Sequence, residues 1–190
     1  MHIQRVMERA ENLTRVPQAN SEFVQVLQYG PVWEWGSNPR TSRCALATCC
    51  SLSAFGPHIG AEVGQYYGGH HDYIPAHAQL PCGPRVYTLF MYLSDVDEGG
   101  ETKFERMRVE ATPKKGRALL WPSVFDDDVG ALRKNSDDRT YHEAMPVEAG
   151  VKFAANFWLH LYDFQTPHKA ACTNSDHDEC GGRGCVHSAR

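Results

Sequence analysis

Apolar residues at the start of the chain recur at spacings of three and four: Ile3, Val6, Met7, Ala10 and Leu13. That period predicts an amphipathic helix of about three turns, closed by Pro17 and the polar run 18–21. The pattern then changes. Residues 23–29 read as a strand that stops at Gly30-Pro31, and residues 65–73 read as a second strand. A loop with three prolines follows, from Ile74 to Pro84. Residues 85–93 are an almost continuous run of β-branched, aromatic and aliphatic side chains, which predicts a strand buried on both faces. Residues 95–100 form a turn. Residues 102–104, 108–109 and 117–121 are short strands separated by Pro113 and Gly116, and 125–140 is a polar loop. The last strands are 141–147 and 151–162, split by Glu148-Ala149-Gly150. One leading helix and many short strands with Gly/Pro turns predict a mainly β fold. The expected form is a double-stranded β-helix, or jelly roll, with an N-terminal supporting helix.

One segment breaks the pattern. Residues 32–63 hold two tryptophans, three cysteines and no sustained period of two or 3.6, and structureless connections of that length are uncommon inside a compact domain. With 190 residues, 42% hydrophobic and 22% charged, the chain reads as one ordinary globular domain over 1–165. The net charge of −4 comes without a basic block, so nucleic acid is not an expected partner. No apolar run approaches the roughly 20 residues of a membrane span. Residues 1–13 do not read as a signal peptide. The seven cysteines form no C-x-x-C pair. The polar tail, 166–190, has little apolar surface to bury and is expected to be disordered.

Candidate chemistry centres on Tyr66-Tyr67-Gly68-Gly69-His70-His71-Asp72. On an extended strand, His70 and Asp72 point to the same face and His71 to the other. Two histidines and one carboxylate on an octahedral iron leave three positions open. A third ligand is therefore expected far along the chain, and His142, at the start of a strand, fits; His160 is its rival. Ten residues after His142, Lys152 opens a strand that is otherwise apolar and aromatic. A lysine there needs a partner or an exit to water, and a bound dicarboxylate would be such a partner. The acidic run 126–128 reads as a solvated loop, with a second metal site as the alternative.

The order His-x-Asp, then His, then Lys ten later resembles the iron(II)- and 2-oxoglutarate-dependent dioxygenases, in particular the prolyl 4-hydroxylase alpha-subunit family. Residues 85–95 with 99–104, 142–147 with 150–158, and 1–31 extend the likeness over most of the chain outside 32–63 and the tail. The resemblance implies that His70, Asp72 and His142 hold Fe(II). It implies that Lys152, with Tyr29 and Thr102, binds 2-oxoglutarate, and that Tyr67, Arg85 and Trp158 lie around a peptide substrate. The implied activity is hydroxylation of peptidyl proline with O₂, releasing succinate and CO₂, with ascorbate as a further cofactor. Alternatives are an oxygenase acting on another residue or a small molecule, and an inactive domain disrupted at 32–63.

In the family, the Tyr-Gly-Pro segment runs directly into Gly-Gln-x-Tyr, so 32–63 reads as an insertion, either a translated intron or a genuine extra loop. Joining Pro31 to Gly64 would give one continuous strand. The chain also starts late relative to the family, as an N-terminally truncated domain would. Cys172, Cys180 and Cys185 resemble the start of a Cys-rich module that follows the domain in some members. The resemblance suggests the endoplasmic reticulum or secretory pathway as the location.

Overall fold

The structure, a computed structural model, describes residues 2–29, 66–125 and 136–170. The expected insertion at 32–63, the acidic run 126–128 and the tail cysteines lie outside these residues. Among the described residues the chain begins with α1 (His2–Thr14), continues through ten strands and ends in the short α2 (Gln165–Lys169). The strands are β1 (Gln25–Tyr29), β2 (Tyr67–His70), β3 (Arg85–Tyr92), β4 (Glu98–Gly99), β5 (Thr102–Phe104), β6 (Val109–Ala111), β7 (Ala118–Pro122), β8 (His142–Ala144), β9 (Val147–Ala149) and β10 (Lys152–His160). They form a sheet in the order β1-β10-β3-β7, a second in the order β2-β8-β5-β6, and a ribbon of β4 with β9, all antiparallel. This is the mainly β jelly roll with a leading helix that the residue pattern predicts.

Alternation along β3 and β10 divides the core in two. Phe90, Tyr92 and Ala154 turn inward and meet Phe104 and Trp121, so one apolar cluster joins the two large sheets. Leu89, Phe157 and Leu159 turn outward beneath α1, against Ala10, Val6 and Met7. Fully burying a side chain of this size contributes roughly 1.5–3 kcal/mol, so these two layers hold the roll together. The helix covers the sheet with its middle turns only: Leu13 and Ile3, at the ends of the expected apolar stripe, are exposed. Arg15, in the left-handed region at φ 62°, ends the helix just before Pro17.

Several boundaries differ from the sequence reading. The strand expected over 65–73 stops at His70, and Asp72 sits in a bend beyond it. The strand expected over 141–147 breaks at Met145-Pro146, because proline has no N–H to donate. The Pro146 carbonyl instead accepts from the Gly100 N–H at 2.7 Å, and the chain re-enters pairing as β9. Residues 148–149, expected to split two strands, are part of β9. Tyr29 closes β1 in one sheet and Tyr67 opens β2 in the other; the strand expected from joining Pro31 to Gly64 falls on residues outside those described. The boundary at residue 165 cuts through α2, whose Gln165 side chain donates to the Gln18 carbonyl at 3.0 Å; the start of the expected disordered tail is thus folded. Among the described residues no helix is long and apolar enough to cross a membrane.

Candidate metal centre

β2 and β8 lie side by side with His70 opposite His142, and this register brings two histidines 72 positions apart into contact. Their ring centroids are 4.3 Å apart. Asp72 turns back from the bend to complete the group: Oδ1 is 3.7 Å from His70 Nε2, and Oδ2 is 3.8 Å from His142 Nε2. One donor atom from each of the three lies within 4.8 Å of the others. Asp72 and His142 are buried, and His70 is partly exposed.

The neighbours of the group set its donor character. His70 Nδ1 lies 2.9 Å from the Gly68 carbonyl, and His142 Nδ1 lies 2.8 Å from the Thr140 carbonyl. A carbonyl only accepts, so each Nδ1 carries the proton and each Nε2 presents its lone pair. Burial, reinforced by the neighbouring His142 and opposed by Asp72, pushes the His70 pKa down to about 4, so the ring is neutral at pH 7. Thr88 Oγ1 donates to Asp72 Oδ2 at 2.6 Å. Two imidazole nitrogens and one carboxylate converging on a point fit a divalent first-row cation such as Fe(II). Phe104 and Trp121 wall His142, with centroids 5.5 and 4.8 Å away.

A clasp on the opposite side of β2 holds its strand to the His142 segment. Tyr141 donates its hydroxyl to the Gly69 carbonyl at 2.7 Å, and His71 Nε2 is 3.3 Å from Asp138. A β-carbon at Gly69 would overlap the Tyr141 ring, so the ring would have to move. His71 faces away from the group, as alternation predicts.

Lys152 lies deeper in the roll, 1% exposed, and Nζ donates to the Gly100 carbonyl at 2.7 Å. Gly100 can offer that carbonyl because it adopts φ 74°, a conformation open to glycine. The rings of Tyr29, Phe90 and Tyr92 surround the ammonium at 5.2, 5.4 and 5.5 Å. Tyr29 reaches it because β1 pairs with β10 in the register Tyr29 to Lys152. Burial pushes the Lys152 pKa down to about 8, with Glu101 partly opposing. Thr102 is buried beside the same pocket, its Oγ1 2.7 Å from the Tyr92 hydroxyl. Phe90, Trp121 and Phe104 bridge the space between this pocket and His142.

The remaining expected residues divide into two places. Tyr67 is exposed and meets His70 edge-on at 4.1 Å. Arg85 and Trp158 lie together at one end of the larger sheet. The β3–β10 register slips at Leu159/His160, and the Arg85 guanidinium lies over the Trp158 ring at 3.7 Å. Its Nε and Nη2 donate to Glu22 at 2.6 and 3.1 Å. His160, the rival ligand, is fully buried in this cluster. It is bonded to Glu22 at 2.8 Å and the Gly83 carbonyl at 2.7 Å, and is not part of the three-donor group. Burial works against the Glu22 charge, but Arg85 beside it and bonds from His160 and Arg85 hold its pKa down to about 2.

Sequence reading missed Thr88, Glu22 and the Gly100 carbonyl. Thr88 carries one signal, a hydroxyl within an apolar strand; the other two have none.

Residues 55–160 match the family model described as the 2OG-Fe(II) oxygenase superfamily. The chain is 30% identical over 163 residues to prolyl 4-hydroxylase subunit alpha-2 of Caenorhabditis elegans, covering 83% of this chain and 23% of that protein. It is 36% identical over 121 residues to the human prolyl 4-hydroxylase subunit alpha-1, covering 60% of this chain and 21% of that one. The chain thus spans about a quarter of the length of these relatives. Among solved structures, the viral collagen prolyl hydroxylase vCPH from Paramecium Bursaria Chlorella virus-1, in its 2OG complex, aligns with a TM-score of 0.55 and 26% identity. That match covers 83% of this chain and 70% of the viral one.

Proposed function

Because this chain belongs to the 2OG-Fe(II) oxygenase superfamily and is related to the prolyl 4-hydroxylases, we propose that it is an Fe(II)- and 2-oxoglutarate-dependent dioxygenase hydroxylating peptidyl proline. The observation that carries this reading is the convergence of His70, Asp72 and His142 in a roll that also buries Lys152. His70, Asp72 and His142 would hold the iron through two Nε2 atoms and a carboxylate oxygen. Bound there, iron and 2-oxoglutarate supply the oxidation in which O₂ gives one atom to the hydroxylated product and one to succinate, with release of CO₂.

The other residues bind and exclude. Lys152 would meet the distal carboxylate of 2-oxoglutarate, giving its buried charge a close ion-pair partner in addition to the Gly100 carbonyl. Tyr29 and Thr102 would add polar contacts at that end. Phe90, Tyr92, Phe104 and Trp121 would keep bulk water from the space between. Tyr67, exposed beside His70, would contact a peptide, and the largely buried Arg85–Trp158 stack would contribute only its remaining exposed edge. The proline specificity is supported by the prolyl hydroxylases to which the chain is similar.

The test is incubation with Fe(II), 2-oxoglutarate, ascorbate, O₂ and a proline-rich peptide library. Expected are a gain of one oxygen atom on proline and equimolar succinate, both abolished by His142→Ala or Asp72→Ala. His160→Ala should keep metal binding. Succinate formation driven by a different substrate would reject the proline assignment, and a wild-type protein that binds no metal would reject the whole reading.

A further inference from the structure

The geometry points to Thr88 as the positioning residue that selects the donor oxygen of Asp72, so that the carboxylate meets the metal through Oδ1 alone. The inference rests on the metal-centre reading above. Asp72 stands beyond the end of β2, in a bend, so no strand pairing fixes its carboxylate. What does hold it is a side chain from the other sheet. Thr88 Oγ1 donates to Oδ2 at 2.6 Å, the length of a charge-assisted O–H···O⁻ bond.

Thr88 is itself held in place. It is fully buried at the middle of β3, with Trp158 opposite it on β10 and Trp121 opposite it on β7. Val86 and Phe90, two positions to either side on the same face of β3, are apolar and buried, so a hydroxyl at this position would be costly without a fixed acceptor.

Two chemical consequences follow. An oxygen already accepting a short bond has less electron density to give a cation, so Oδ2 is the weaker donor. Oδ1, which faces His70 at 3.7 Å, carries no such bond among the described residues. A carboxylate restrained to one donor oxygen takes one coordination position instead of two, which leaves the rest of the sphere to a chelating cosubstrate and O₂. Thr88 thus would act on the metal without touching it, through Asp72.

The experiment uses Co(II) as the probe on the purified full chain, with absorption titration for affinity and the visible d–d bands as the signature of the ligand field. Thr88→Val keeps the shape and removes the donor; Thr88→Ser keeps the donor. Thr88→Val is expected to weaken Co(II) binding about 10- to 100-fold and to shift the bands, while Thr88→Ser binds and absorbs like wild type. Thermal unfolding of the apoproteins establishes that both variants are folded. Should Thr88→Val not fold, Thr88→Ala is read in the same way. A folded Thr88→Val with wild-type affinity and bands overturns the inference. So does a folded Thr88→Ser as weak as Thr88→Val, since packing of the methyl group would then be the cause. A wild-type chain that binds no Co(II) overturns the metal centre itself, whereas unaltered variants of a wild type that does bind overturn only the role of Thr88.

Discussion

Replacing Lys152 by methionine should push stability and ligand binding in opposite directions. The side chain is 1% exposed, and burial lowers its pKa from 10.5 to about 8. At about 1.4 kcal/mol per pH unit, that is a cost of about 3 kcal/mol for carrying the charge in the folded state at neutral pH. Methionine fills similar volume without charge. It gives up the bond to the Gly100 carbonyl, a loss of about 1.5–3 kcal/mol for a charged donor. The apoprotein should therefore be between unchanged and about 2 kcal/mol more stable at pH 7.

The pH dependence has a definite sign. Between pH 8 and 10.5 the unfolded lysine holds its proton and the folded one has lost it, so wild-type stability rises with pH there and closes the gap to the variant. Binding of 2-oxoglutarate should suffer instead. An ion pair with this ammonium is worth about 1.5–3 kcal/mol, so Lys152→Met should weaken cosubstrate binding about 10- to 150-fold. Wild-type affinity should also fall about tenfold per pH unit above 8, because a proton must then be taken up on binding. Urea denaturation from pH 7 to 10, and calorimetric titration of the metal-loaded protein with 2-oxoglutarate, measure the two effects. An apo variant destabilised by several kcal/mol would refute the desolvation cost. An unaltered affinity in a folded variant would remove Lys152 from the cosubstrate site.

Two further outcomes follow from the geometry. Glu22 has a folded pKa of about 2 against 4.5 unfolded, so its contribution is fully present above 4.5 and is lost as pH falls towards 2, amounting to about 3 kcal/mol. Glu22→Gln should flatten the stability profile between pH 5 and 2 in urea melts, and should lower stability at pH 7 because the Arg85 guanidinium loses its carboxylate partner. Gly69→Ala should force the Tyr141 ring away from β2, cost about 1–3 kcal/mol by thermal unfolding, and weaken Co(II) binding because the clasp that holds His70 to His142 opens.

Much of the molecule was legible in its residue pattern, because helix and strand periods are properties of neighbours along the chain. The spacing of Val6, Met7 and Ala10 specified the buried side of α1, and the apolar run from Val86 to Tyr92 specified β3. The donor types were legible too. His70 and Asp72 stand two apart, and the order of His142 and Lys152 after them resembles that of a known family, so a metal site could be proposed before any position was known. The break at Pro146 carried a local signal, proline's missing N–H; the boundary at Asp72 carried none, since pairing there depends on whether a partner strand offers a donor or acceptor opposite.

Tertiary structure alone decided the partnerships. Glu22 meets His160 across 138 residues, and the Lys152 ammonium meets the Gly100 carbonyl across 52. Thr88, in one sheet, meets Asp72, in the bend that follows a strand of the other, across 16 residues. Each of these depends on which strand lies beside which and in what register. A register shift of one residue would turn His142 away from His70 while leaving every local pattern in the sequence unchanged. Local sequence encodes which way a side chain leaves its own strand; only the packed sheets determine what it finds there.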